Sequence, residues 1–400
     1  MRALLLEGIH DEAAVRLRSA GVDVDTRSGA LDPAELLDAV QGVQLLGIRS
    51  KTEIRADVLQ QADELLAIGA FCIGTNQIDL AAASQRGVVA FNAPFSNTRS
   101  VVELAIAEII VMARRLAEKN AALHAGVWDK SATGAHEVRG RKLGIVGYGN
   151  IGTQLSVVAE SLGLSVYFYD TADRLALGNA KRCDSLDELL EQVDVVTLHV
   201  DGRSANAGIF GDEQFRRMRP RSLFLNLSRG FVVDYAALRR HIEAGHIAGA
   251  AVDVFPDEPK SRGEEFASDL RGLPNVILTP HIGGSTEEAQ QDIGRYVAGK
   301  LVDYVNEGAT TMSVNLPPLS LPVRPETSRV ALVHSNVPGA LATINGVFAE
   351  SGVNIEGQLL ATRDAFGYVL TDIATGCSSD VLDHLEKLPE TVRLRLITPI

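Results

Sequence analysis

The sequence predicts an α/β chain: two doubly wound parallel-sheet domains followed by a small domain of order βαββαβ. Three observations carry that expectation. Short apolar runs alternate with helical stretches over residues 1–95 and again over 140–279, the pattern of parallel strands joined by crossover helices. A Gly147-Tyr148-Gly149-Asn150-Ile151-Gly152 turn lies between an apolar run and a helical stretch, where a dinucleotide-binding fold keeps its phosphate turn. Beyond a segment with four prolines at 315–328 the element order changes, and βαββαβ is ferredoxin-like.

In chain order, residues 3–6, 45–48, 65–68 and 88–91 read as strands, and 11–19, 33–40, 55–62 and 80–86 as helices. This first parallel sheet has no G-x-G-x-x-G. A long apolar helix is expected from Val101 to about Leu123, and an irregular connection with the only tryptophan, Trp128, follows it. Six strands are expected for the second sheet, at 143–146, 166–169, 194–199, 222–227, 249–255 and 275–279, the count of a full Rossmann fold. A second long helix runs from Ser285 to about Val305, and the proline-rich 316–328 reads as an extended, stiff linker. In the last domain, strands are expected at 329–333, 353–362, 368–374 and 392–397, with helices at 338–351 and 380–388.

The glycine unit has a specific physical reading. Gly147 allows the tight turn out of the strand, Gly149 lets a diphosphate approach the backbone, and Gly152 lets the helix pack on the strand. The free N–H groups at the helix start suit an anion. Asp170 ends the next strand, where it accepts ribose hydroxyls and repels a 2′-phosphate, favouring NAD over NADP.

Bulk properties narrow the function classes. The 400 residues carry 38 Lys and Arg against 51 Asp and Glu, a net charge of −13, which disfavours nucleic acid and anionic membranes as partners. No run approaches the ~18 apolar residues of a membrane span. The start of the chain does not read as a signal peptide. Cys72, Cys183 and Cys377 are far apart with no C-x-x-C, which fits a reducing cytoplasm and no metal site.

Polar residues at the expected strand ends are the candidates for chemistry. Arg229 follows the run 222–228, Asp253 and Glu258 end or follow 249–255, and His281 follows 275–279. Alone, each also reads as an ordinary surface residue. Together at one sheet edge they suit hydride transfer at a hydroxyl carbon. His281 has the intrinsic pKa of a base for the hydroxyl proton. Glu258 would fix its tautomer and favour its charged form, and Arg229 would grip a carboxylate and polarise the developing oxygen charge. His199 is the competing histidine, with no evident acid beside it.

These motifs resemble the D-isomer-specific 2-hydroxyacid dehydrogenases: the glycine unit, NLSRG at 226–230, DVFPDEP at 253–259 and TPHIGGST at 279–286, supported by IRSKT at 48–52, FCIGTNQIDL at 71–80 and FNAPFSNTRSVVELA at 91–105. The resemblance covers essentially the whole chain, and its last part is similar to an ACT regulatory domain. It implies Arg229, Glu258 and His281 as catalytic residues. It implies NAD contacts at Asn150, Ile151, Asp170, the backbone of Leu227, Ser228 and Arg229, Asp253, and the turn His281, Ile282, Gly283 and Gly284. It further implies that residues 1–95 and 285–315 form one substrate-binding domain of flavodoxin-like type, interrupted by an NAD domain at 96–284. The two long helices would be the crossings and hinges, and the ACT domain would span 329–400.

Members of this type oxidise 3-phospho-D-glycerate to 3-phosphohydroxypyruvate, the entry to serine synthesis, and can reduce 2-oxoglutarate as a side activity. In that reading Arg49, Ser50 and Lys51 hold the phosphate, and Gly74 offers backbone N–H to the substrate carboxylate. Lys51 stands where the family often has Arg, which keeps the charge and loses the planar fork. His334, Asn336 and Asn354 match positions that hold L-serine as feedback inhibitor. A cytoplasmic homotetramer paired through its ACT domains is implied. The alternatives are a dehydrogenase of another D-2-hydroxy acid and a nucleotide-sensing, co-repressor-like binding protein.

Overall fold

The computed structural model describes residues 1–259, 263–324, 326–374 and 379–398; Cys377 and linker residue Pro325 lie outside them. The chain divides into two compact units, Met1–Ser96 with Gln290–Ile400, and Asn97–Ala289. Among the described residues no helix is long and apolar enough to cross a membrane.

The first unit opens with β1 (Arg2–Leu5), β2 (Asp23–Thr26), β3 (Leu45–Ile48), β4 (Ala67–Ala70) and β5 (Val89–Phe91), all parallel, in the order β2-β1-β3-β4-β5. This is the flavodoxin-like order. β3, β4 and β5 are buried throughout, as apolar runs between two helix layers should be. The edge strand β2, sequence DVDT, was not expected. It buries only Val24, so it carries no apolar run to betray it. The helix Glu287–Glu307 presses Val297, Ala298 and Leu301 onto this sheet, and a Cβ on Gly69 would lie 2.7 Å from Val297 Cγ1.

The same unit ends with β13 (Thr327–Ser335), β14 (Ile355–Arg363), β15 (Phe366–Ala374) and β16 (Thr391–Ile397), antiparallel in the order β14-β15-β13-β16. Strand alternation sends Val330 and Leu332 to one face, where the helices Ala340–Glu350 and Ser379–Glu386 cover them with Ile344, Phe348, Val381 and Leu385. Ala331 and Val333 go to the other face, with Tyr368, Leu370 and Ile397. That face joins the core of the first sheet through Tyr304, Leu316 and Leu319. Three arginines reinforce the join. Arg329, 5% exposed, pairs with Asp372 at 2.7 Å and donates to the carbonyls of Glu307, Leu321 and Pro322. Arg393 donates to Leu65 and Asp63, and Arg395 to Tyr304 and Val305.

The second unit holds β6 (Lys142–Val146), β7 (Ser165–Tyr169), β8 (Lys181–Arg182), β9 (Val195–Leu198), β10 (Ser222–Asn226), β11 (Ile247–Val252) and β12 (Val276–Leu278). They form one parallel sheet in the order β12-β11-β10-β9-β6-β7-β8. The seventh strand, β8, is two exposed residues at the edge and escapes an apolar pattern. The first long helix is two helices, Thr98–Ala113 and Leu116–His124, broken where Arg115 takes a left-handed φ of +53°. Its first part buries Val101, Val102, Ala105, Ile109 and Met112 at helical spacing. The second part buries nothing, so no packed face keeps it in line.

Candidate active site

The glycine turn leaves the carboxyl end of β6, the edge where doubly wound sheets bind ligands. Gly147 has φ +93°, and a Cβ there would lie 2.6 Å from His199 O. A Cβ on Gly152 would overlap the carbonyl of Gly147, so a bare helix start seats on the turn. A Cβ on Gly149 would meet nothing within 4 Å, and the helix Asn150–Ser161 begins there without a side-chain cap. Open space in front of free N–H groups fits a diphosphate. Asp170 is held against this turn: its Oδ2 accepts Tyr148 N–H and its Oδ1 accepts Ala172 N–H, both at 2.8 Å. Arg174 Nε lies 3.6 Å from it. The arrangement fits NAD, with the diphosphate over the open amides and a ribose beside Asp170.

Further along the edge, Asp253 follows β11 and is 2% exposed. Its Oδ1 accepts Thr279 Oγ1–H at 2.6 Å and Ile282 N–H at 2.8 Å; its Oδ2 accepts Gly283 N–H at 2.7 Å. One buried carboxylate thereby organises the whole 279–283 turn. His281, on that turn, takes a left-handed φ of +53°. Its Nδ1 meets Glu258 Oε2 at 2.8 Å, while Glu258 Oε1 accepts Phe255 N–H at 3.0 Å. The hydrogen bond to Glu258 lifts His281 above the ordinary histidine value, against the opposing effect of burial. Burial pushes Glu258 up, but the His281 and Phe255 hydrogen bonds with the nearby charges outweigh it and hold the carboxyl below its ordinary value.

Arg229 follows β10 and its charge acts on both partners, lowering the pKa of each. Gly230 explains the proximity: a Cβ there would overlap the backbone of Phe255 and Pro256, so the 229–230 turn lies directly on the chain leading to Glu258. The sequence assigns no role to Asn226, Tyr235 or Thr279, and the first two stitch these turns together. Asn226 Nδ2 donates to Arg229 O at 3.0 Å and to Tyr235 Oη at 2.9 Å, and Asn226 Oδ1 accepts Ser228 N–H. Tyr235 Oη–H donates to Val254 O at 2.6 Å. Asn226 stood inside the NLSRG motif, whereas Tyr235 gave no local signal. His199 differs from His281. Its Nε2 contacts Thr197 Oγ1 at 3.0 Å, its Nδ1 is buried without a partner among the described residues, and burial pushes its pKa down to about 4.

In the other unit, Arg49, Ser50 and Lys51 form the loop after β3, and Gly74 lies on the loop after β4. His334 sits near the end of β13 opposite Gly367, where a Cβ would overlap the imidazole. Its Nδ1 lies 2.9 Å from Ser335 O, and its Nε2 is buried without a partner among the described residues. Asn336 and Asn354 flank the helix Ala340–Glu350; their amides donate to Asp364 O and Glu356 Oε1.

Comparison with known proteins agrees with this architecture. Residues 106–283 match the NAD binding domain of the D-isomer specific 2-hydroxyacid dehydrogenases, and residues 330–393 match an AHAS small subunit-like ACT domain. The chain belongs to the D-isomer specific 2-hydroxyacid dehydrogenase family and is an NAD-dependent dehydrogenase. It is 48% identical to the D-3-phosphoglycerate dehydrogenase of Haemophilus influenzae, over 99% of this chain and 97% of that one. It is likewise 48% identical to the enzyme of the same name from Escherichia coli K12, with the same coverage. The solved structure of D-2-hydroxyisocaproate dehydrogenase, at 24% identity and a TM-score of 0.71 over 79% of this chain and all of that one, shares the fold.

Proposed function

We propose that this enzyme oxidises 3-phospho-D-glycerate to 3-phosphohydroxypyruvate. The observation that carries the chemistry is the His281–Glu258 pair, 2.8 Å apart at the carboxyl edge of the NAD-binding sheet with Arg229 in electrostatic reach. Full-length relatives bearing the name D-3-phosphoglycerate dehydrogenase support the substrate.

Arg229 pairs with the substrate carboxylate and draws electron density from the oxygen on C2. Glu258 holds the proton on His281 Nδ1, so Nε2 is the basic nitrogen. Nε2 takes the hydroxyl proton as the C2–O bond becomes a carbonyl. Bound NAD would supply the hydride acceptor for C2, so that one proton and one hydride leave the substrate together. Asp253 keeps the 279–283 turn in place through three hydrogen bonds. Leu227, Ser228, Ile282 and Gly284 would hold the nucleotide together with Asn150, Ile151 and Asp170.

The remaining assignments belong to the same reading. Residues 1–95 and 285–315 bind substrate, with Arg49, Ser50 and Lys51 at the phosphate and Gly74 at the carboxylate; residues 96–284 bind NAD, and 329–400 regulate. L-serine binds at His334, Asn336 and Asn354, for which His334 Nε2, buried and without a partner among the described residues, offers one polar group. The enzyme is a cytoplasmic homotetramer with 2-oxoglutarate reduction as a side activity. A panel of D-2-hydroxy acids assayed with NAD, with and without L-serine, tests this. The expected result is turnover of the phosphorylated acid and inhibition by serine. Turnover of unphosphorylated acids alone overturns the substrate.

A further inference from the structure

The loop Arg49–Thr52 is shaped from beneath by a residue far away in sequence. Glu7 follows β1 in a left-handed conformation, φ +62°, which non-glycine residues rarely adopt, and is 9% exposed. Its carboxylate receives three backbone N–H groups of the loop. Oε1 accepts Arg49 N–H at 3.1 Å and Thr52 N–H at 2.9 Å, and Oε2 accepts Lys51 N–H at 3.0 Å. Backbone amides converging in this way make an anion-binding nest. Here the protein's own carboxylate fills it. On the carbonyl side, Gln77, 8% exposed, donates through Nε2 to Arg49 O at 2.6 Å and to Gly74 O at 3.2 Å. The two loops assigned to substrate are thereby tied to each other.

We infer that Glu7 is a positioning residue for phosphate recognition: by occupying the amides of Arg49, Lys51 and Thr52 it fixes the loop in the shape that presents the Arg49, Ser50 and Lys51 side chains. The inference rests on the proposed phosphate role of that loop. It also gives the role a chemical form. With three amides already satisfied, the substrate dianion must be read chiefly by side chains, and charge-assisted bonds to a carboxylate are strong enough to hold the loop open for it. Gln77 then sets the distance between the phosphate loop and Gly74, and so between the two ends of the substrate.

The test is Glu7→Gln. The isostere keeps an oxygen toward Arg49 and Thr52, but turns an NH₂ toward Lys51 N–H, donor against donor. The expected result is a KM for 3-phospho-D-glycerate raised by roughly tenfold or more, the scale of one lost hydrogen bond to a charged group, with the KM for NAD unmoved and kcat falling less than KM rises. Glu7→Asp, which keeps the charge on a shorter stem, recovers part of the affinity. It carries the same comparison should Glu7→Gln fail to fold. A folded variant with an unchanged KM for the phosphorylated acid, or with both KM values raised in parallel, overturns the inference. If Arg49→Ala raises that KM while neither Glu7 variant does, the phosphate reading stands and only Glu7's role falls. If the wild-type enzyme does not turn over the phosphorylated acid, both fall.

Discussion

Glu258 Oε2 and His281 Nδ1 lie 2.8 Å apart although 23 positions separate them in the chain. The bond lifts His281 above the ordinary histidine value of about 6.5. In the oxidising direction the imidazole must be neutral to take a proton, so kcat/KM rises with pH through an inflection above that value. In the reducing direction the imidazolium donates, and the rate falls through the same inflection. Glu258→Gln removes the charge and moves both inflections down. pH–rate profiles in the two directions check this, and an inflection that stays in place would detach Glu258 from the titration.

Removing the imidazole should cost chemistry rather than cofactor binding. His281→Ala is expected to lower kcat by at least ~10²-fold, the scale of general acid–base catalysis. The Kd for NADH, followed by fluorescence, should change little, because the glycine turn and Asp170 lie elsewhere on the sheet edge. A wild-type rate removes His281 from the mechanism.

Asp170 accepts Tyr148 and Ala172 N–H and has Arg174 at 3.6 Å. Asp170→Ala deletes the ribose acceptor and frees the neighbouring guanidinium to meet a 2′-phosphate. The expected outcome is a raised KM for NAD and a lowered KM for NADP. An unaltered ratio of the two would show that Asp170 does not discriminate between them.

Glu108, on the helix Thr98–Ala113, is 3% exposed, and neither of its carboxyl oxygens has a partner among the described residues. Burial, aided by the charge of Asp253, pushes its pKa up to about 8. The folded state therefore holds a proton that the unfolded chain releases above about pH 4.3. Stability from this group is full below that pH and declines as pH rises to about 8, by a few kcal/mol at order of magnitude. Glu108→Gln, which cannot ionise, should melt progressively higher than wild type as pH is raised from about 5 to about 8. Parallel melting curves across that range would contradict the shift.

Serine should lose its grip when a polar partner is removed. Asn336→Ala is expected to raise the concentration for half-inhibition about tenfold, the worth of one or two hydrogen bonds, while leaving the uninhibited rate intact. Calorimetric titration beside the rate assay separates binding from coupling: serine that binds without slowing the enzyme would sever the regulatory link.

Much of this architecture could be read from local pattern, because buried strands between helix layers are apolar runs and helices repeat every three to four residues. Where burial is slight the pattern fails. β2, with only Val24 inside, and β8, with two exposed residues, left no trace. The break at Arg115 went unseen because propensity alone does not end a helix there; what differs is that the part beyond it buries nothing. Arg229, Glu258 and His281 stood out because each is a polar group at the end of an apolar run. Their supports did not stand out. Tyr235 and Glu7 act through contacts made by folding, and neither sits in a motif.

Sequence alone determined the class of fold, the nucleotide turn, and which edge of the second sheet would carry polar groups, since each is encoded within about thirty residues. Tertiary structure decided the rest. It decided that the bare backbone at Gly230 lets the 229–230 turn lie on Phe255, that Asp253 gathers the 279–283 turn, and that Glu7 fills the amides of the Arg49 loop. It also decided that the C-terminal sheet buries its second face on the core of the first. Hydrogen bonds and close packing between distant segments depend on distances that only the closed chain possesses, and no local periodicity records them.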